Sequence, residues 1–215
     1  VDGYAGYNAI PNVTLVGCLA HARRKFNDAL KALPSGQKDA DVPAKEGLNF
    51  CNQLFSIERK LAELTPEERY KQRLELSRPV LEAFSAWVKY QTPRVLPKSA
   101  LGQAIAYCKN QWPKLIAFLQ DGRLEIDNNR SERSIKPFVI GRKNWMFANT
   151  PRGATASATI YSIVESAREN GLNPYSYLRY LFEQLPNMDI QDKVALDTML
   201  PWADEIPEFC RVNKR

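Results

Sequence analysis

Two carboxylates stand out by their surroundings. Asp2 precedes Gly3 at a turn, just ahead of a short helical pattern (Ala5 to Ile10) and an apolar run. Glu132 sits on a predicted helix inside the densest basic cluster of the chain. Residues 128–152 hold Arg130, Arg133, Lys136, Arg142, Lys143 and Arg152 against that one acid. Carboxylates that converge from separate elements can hold two divalent metals ~3.5–4 Å apart. Such ions activate an attacking oxygen and stabilise a leaving oxygen during phosphodiester cleavage or transfer. Mg²⁺ takes oxygen ligands and keeps part of its water shell. Neighbouring cations must then hold the substrate phosphates. Plainer readings stand beside this one. A glutamate among arginines also serves as a surface ion-pair partner, and Asp127 reads more readily as an N-cap than as a ligand.

A second basic run holds Arg23, Arg24, Lys25 and Lys31 against Asp28. Arg23 and Arg24 are candidates for touching a phosphate backbone, but helical spacing cannot put both on one face. Phe138, Trp145 and Phe147 interleave with the first cluster. Nucleic-acid surfaces combine phosphate contacts with stacking in this way. The formal net charge of +6 favours an anionic partner without naming it. Cys18, Cys51, Cys108 and Cys210 show no paired spacing, and His21 is the single histidine, so a zinc site is not expected. The cysteines read as reduced core residues of a cytoplasmic protein. Cys18 and His21 read as packing and structural residues rather than as a nucleophile or ligands.

The elements that must position these groups are mostly helical. With 44% hydrophobic and 25% charged residues, the 215-residue chain can build a packed core. It has no apolar stretch long enough to span a membrane and no visible secretory signal. Residues 12–18 (NVTLVGC) read as a buried strand. Apolar spacing predicts a helix over 20–33, stopped by Pro34-Ser35-Gly36. Pro43 opens a second helix. Thr65-Pro66-Glu67-Glu68 carries a capping-box signature for a third, which Pro79 should kink or split. Pro97-Lys98-Ser99 opens a fourth, with Gly122 as its expected C-cap. Asp127-Asn128-Asn129 offers N-caps for a helix to about Pro137, and residues 144–150 read as a hairpin or extended piece. Thr150-Pro151 starts a helix rich in small residues, expected to be central and to end at Gly171. Asn173-Pro174 starts the next, and beyond Pro186 the pattern weakens into short helices and an exposed tail.

Three blocks carry a family resemblance: VDGYAGYNAI, GCLAHARRKF, and the long segment DGRLEIDNNRSERSIKPFVIGRKNWMFANTPRGATASATIYSIVESARENGLNPYSYL. Together they resemble DDE transposases of the insertion-sequence-66 type, in the C-terminal part of the catalytic region. The resemblance covers residues 1–33 and about 120–185, and LPW at 200–202 is also similar. It implies a ribonuclease-H-like core with an Asp-Asp-Glu triad. Asp2 matches the second aspartate and Glu132 the glutamate, as catalytic and metal-holding residues. The first aspartate would lie upstream of Val1, so the chain alone is expected to be inactive.

The expected fold is therefore mainly α, a partial ribonuclease-H-like α/β core interrupted by a helical insertion. The expected segments are 1–39 (core), 40–122 (insertion), 123–185 (core with the Glu helix) and 186–215 (C-terminal element). The implied cofactor is Mg²⁺ or Mn²⁺. The implied partners are double-stranded DNA, at transposon ends and target, and further copies of the protein. Arg23, Arg24, Arg130, Arg133, Lys136, Arg142 and Lys143 are the expected DNA contacts. Lys71 and Arg73, in the helical block, are expected to matter less. The alternative function is a partial transposase that binds DNA or another subunit without cutting.

Overall fold

The computed structural model describes residues 1–34, 42–145, 148 and 150–212, and for residues 142–145 the backbone alone. The helices are α1 (Leu19–Lys31), α2 (Pro43–Lys60), α3 (Pro66–Gln72), α4 (Arg78–Gln91), α5 (Ala100–Leu115), α6 (Asn129–Trp145), α7 (Pro151–Glu169), α8 (Pro174–Gln184) and α9 (Lys193–Asp197). The chain divides into two compact units, Val1–Arg130 and Ser131–Arg215.

The expected α/β core is overturned: among the described residues there is no strand, and the only ladder-type pairing is an isolated bridge between Leu172 and Arg211. Residues 13–18 form no regular element, and the amides at the end of the run and the start of α1 go to unrelated segments. Gly17 N–H donates to the carbonyl of Lys114 in α5, Cys18 N–H to Val1, and Leu19 N–H, the first of α1, to Ile126. A strand needs one neighbouring backbone offering a ladder of partners. Here successive amides are satisfied by a helix end, a terminus and a loop, so the β-branched run forms no sheet.

In the first unit, α1 lays Leu19, Ala22 and Phe26 against Cys51 and Leu54 of α2, Phe84 and Val88 of α4, and Ile105 and Cys108 of α5. Segments 1–39 and 40–122 thus share one core. Phe26, Phe50, Phe84, Trp87 and Trp112 form its aromatic cluster, with Phe50 and Phe84 stacked at 5.1 Å between centroids. Burying a side chain of this size contributes roughly 1.5–3 kcal/mol.

Capping chemistry sets the helix starts. Thr65 and Glu68 complete a reciprocal capping box. Ser99, Thr150 and Asn173 each accept the amide three residues on. Pro79 does not break its helix. A single π-type turn, Arg73–Ser77, precedes it and absorbs the missing donor, so α3 runs on into α4. Gly122 is not a C-cap, because α5 ends at Leu115 and a 3₁₀ turn follows over Ala117–Gln120. Its lack of a side chain serves close approach instead: a Cβ there would run into the carbonyl of Pro66.

The π turn places Arg73 inside the first unit, with 1% of its surface exposed. Its Nε and Nη2 donate to Glu58 at 2.9 and 2.7 Å. Its Nη atoms also donate to the carbonyls of Phe118, Asp121 and Leu124. One turn earlier, Arg69 donates to Leu61, Ala62, Leu64 and Gly122. The two guanidiniums tie the stretch before α6 to α3. Arg73 is therefore no solvated charge and cannot act as an innocuous comparison for DNA contact; that expectation is corrected.

In the second unit, Ala167, Leu172, Tyr177, Leu181, Met199, Ile206 and Cys210 make a small core. Gly171 turns the chain between α7 and α8 at φ +70°, a conformation that suits glycine. One sequence expectation changes here. Ala154, Ala156 and Ala158 are exposed, so α7 is not a central helix. Beyond Pro186 the chain forms short helices and is mostly exposed, and it is tied back to the unit: Val212 N–H donates to Gly171, Asn173 N–H to Cys210, and the Tyr177 hydroxyl to Met199. α6 also continues past Pro137 to Trp145, so Asn144 and Trp145 are helical; of the rest of the expected hairpin or extended piece, Met146, Phe147 and Asn149 lie outside the described residues.

All four cysteines are reduced and buried. Burial pushes the Cys51 thiol up to about 12 and that of Cys108 well above its ordinary range. The thiolate is the reactive form. Because all four thiols are also buried, thiol titration of the native chain at neutral pH should be slow at every position and rapid after denaturation. Prompt reaction of Cys51 or Cys108 in the native state would contradict the packing.

Candidate functional site

Asp2 is exposed at the start of the first unit. Its Oδ1 accepts the Tyr4 amide at 2.9 Å, a short Asx-type contact that holds the carboxylate against its own backbone. Its carbonyl accepts the Tyr107 hydroxyl from α5 at 3.1 Å. Burial raises the pKa of that hydroxyl, so Tyr107 stays a donor across the physiological range. The loop carrying Asp2 is thus tied to the helical stretch between the two candidate carboxylates.

Glu132 lies in the first turn of α6 and is exposed. A carboxylate there is favoured by the unsatisfied amides at the helix start. Asp127 behaves as a cap, accepting the Asn129 amide at 3.0 Å and the Asn129 side-chain amide at 2.7 Å. Arg130 bonds Glu125 at 3.3 Å. Arg133 and Lys136 are exposed. With 3.6 residues per turn, Lys136 and Lys143 fall one and three turns beyond Glu132 on the same side of α6. Arg130, two positions before Glu132, does not share that side. The side chains of Arg142 and Lys143 lie outside the described residues.

Arg23 and Arg24 are exposed on α1. Arg23 is fixed by a 2.6 Å bond from Nε to Asn52 of α2. Cys18 is buried and receives the Asn128 amide at 3.5 Å on its sulfur, so it supports the approach to α6 from within the helical core. His21 is half-buried in the first turn of α1. Of the expected site residues, Asp2, Arg23, Arg24 and Arg130 belong to the first unit, and Glu132, Arg133, Lys136, Arg142 and Lys143 to the second. The sequence reading passed over Arg59 and Arg69 and treated Arg73 as a solvated charge. Spacing alone does not separate an arginine inside a core or cavity from one in solvent.

For a divalent cation, the donors match in kind and fall short in number. Asp2 and Glu132 supply hard carboxylate oxygens at the surface, but among the described residues no group of three or more His, Cys, Asp or Glu is clustered to hold a metal.

The family model described as "Transposase IS66 family" matches residues 1–156, and "IS66 C-terminal element" matches 162–202. The chain belongs to the IS66 transposase family. Three curated relatives come from Sinorhizobium fredii. "Uncharacterized protein y4jD" is 34% identical over 218 residues, covering 96% of this chain and 41% of the relative. "Uncharacterized protein y4qI" is 30% identical over 213 residues, covering 94% and 38%. "Uncharacterized protein y4hP" is 29% identical over 204 residues, covering 92% and 36%. This IS66-family chain spans about two-fifths of the length of the curated relatives it matches. No solved structure matches it. Among the described residues, no helix is long and apolar enough to cross a membrane.

Proposed function

We propose that this chain is the catalytic segment of a longer DNA transposase that cuts transposon ends and joins them to target DNA. The observation that carries the reading is the family match across residues 1–156, which takes in both Asp2 and Glu132. In this reading Asp2 and Glu132 hold Mg²⁺ or Mn²⁺ together with a third carboxylate from outside the 215 residues. The bound cations would supply an activated attacking oxygen and charge stabilisation at the leaving oxygen. Residues 40–122 are then an insertion between the segments bearing the two carboxylates. Double-stranded DNA is the partner, and several copies assemble on it.

The work of this chain's other residues is to hold phosphates. Arg133, Lys136, Arg142 and Lys143 follow Glu132 along α6, and we assign them, with Arg23, Arg24 and Arg130, to the DNA backbone. Each phosphate neutralised on duplex DNA contributes about 0.9 to the slope of log affinity against log salt. Replacing Arg142 and Lys143 together by Ala should weaken DNA binding at low salt and flatten that slope by up to about two. The exposed pair Lys71 and Lys89 is the comparison. Equal losses from both pairs would mean unspecific charge attraction, and an unchanged slope for Arg142 with Lys143 would remove α6 from the DNA surface.

A further inference from the structure

A cavity of about 490 Å³ opens where α1, α2 and the start of α6 meet, all within the first unit. Its polar lining comes from Arg23, Asn52, Arg59, Asp127 and Asn129, with Phe55 as its apolar wall. Asn52, Phe55 and Arg59 stand at i, i+3 and i+7, which is one stripe of α2. Arg23 reaches across from α1 and is held at its Nε by Asn52. A guanidinium has five N–H donors, and that bond uses one. The Arg59 side chain is exposed and makes no hydrogen bond or ion pair with a described residue. Asp127, the acid in the lining, has both oxygens engaged by Asn129. The cavity therefore sets two guanidiniums and the Asn52 amide against one carboxylate already committed to capping α6.

We propose that this cavity binds a backbone phosphate of DNA, with Arg59 of α2 and Arg23 of α1 as its two donors. Phosphate oxygens only accept hydrogen bonds, and planar guanidinium forks match them in pairs. Arg23 is pre-oriented by Asn52, so little side-chain freedom is lost on binding. The excess positive charge of the chain favours a polyanion over an isolated anion. This inference rests on the transposase reading and adds to it. It gives α2, in the stretch between the segments bearing Asp2 and Glu132, a direct part in holding substrate.

The test is anisotropy of a labelled DNA duplex with the 215-residue chain over a salt series. Arg59→Ala should weaken binding and lower the salt slope by about one. Arg59→Lys should recover the slope but only part of the affinity, since the point charge remains and the fork is lost. Lys60→Ala, one position on and facing elsewhere, should change neither. Equal effects of Arg59→Ala and Lys60→Ala would overturn the site. So would DNA binding by the unsubstituted chain that Arg59→Ala leaves untouched, and in that case the wider transposase reading would survive. No DNA binding by the unsubstituted chain would instead sink the assignment of DNA contacts to this segment, this cavity included. A parallel arm adds inorganic phosphate at matched ionic strength and follows the melting temperature. Stabilisation that needs Arg59, with DNA affinity independent of it, would point to free phosphate and overturn the DNA assignment.

Discussion

Arg73→Met should cost the first unit about 3–5 kcal/mol, the range found when one partner of a buried ion pair is removed. Arg73 is 1% exposed, and its ion-pair partner Glu58 is 14% exposed. The substitution removes the guanidinium donors of Glu58 and of the Phe118, Asp121 and Leu124 carbonyls, of which Asp121 keeps the Leu124 amide. Methionine replaces the aliphatic stem but none of these bonds. Total stabilities of single domains are about 5–15 kcal/mol, so a loss of this size is a large fraction. Arg73→Lys should fall between, because an ammonium carries charge but cannot serve a carboxylate and three carbonyls from one fixed plane. Lys71→Ala, two residues earlier and exposed, should stay within about 0.5 kcal/mol. Urea unfolding followed by circular dichroism measures all three. If Arg73→Met and Lys71→Ala unfold at the same midpoint, the guanidinium does not hold the approach to α6.

The second large effect is expected on chemistry. On the proposed function, in a full-length transposase that carries these residues, Asp2→Asn and Glu132→Gln should each lower strand cleavage with Mg²⁺ by more than about 100-fold, since even residues that merely support a metal ligand cost 10–100-fold. Both side chains are exposed, and each replacement keeps shape while removing charge. Melting temperature should therefore change little, by no more than the modest contribution of the Glu132 charge at the start of α6, and DNA affinity should not fall. Glu183→Gln, which removes the charge of an exposed i,i+4 partner of Arg179, is the comparison and should cleave normally. Cleavage that survives both Asp2→Asn and Glu132→Gln would leave a DNA-binding or assembly module as the remaining reading. The 215-residue chain alone should not cleave in the same assay.

The sequence by itself determined the local punctuation and the family. Thr65-Pro66-Glu67-Glu68, Ser99, Thr150-Pro151 and Asn173-Pro174 start helices because their side chains satisfy amides a few residues away, and such chemistry is visible in one dimension. The long block around Glu132 and the segment opening with Asp2 marked the family through residue identities alone. What needed tertiary structure were the partners supplied from far along the chain. The run at 12–18 has strand composition, yet its Gly17 and Cys18 amides were claimed by Lys114 and Val1, and no periodicity reports that. Arg73 and Lys71 look alike as letters. The π turn before Pro79 decided which of them enters the core, where Glu58 and three carbonyls 45 to 51 residues away offset its desolvation. Likewise the segment after Pro186 is weakly patterned, and its packing of Met199, Ile206 and Cys210, with its bonds to Gly171, Asn173 and Tyr177, makes it part of the second unit. Contacts within a turn of helix are written in adjacent residues; a buried charge or an unpaired strand depends on which distant backbone arrives beside it.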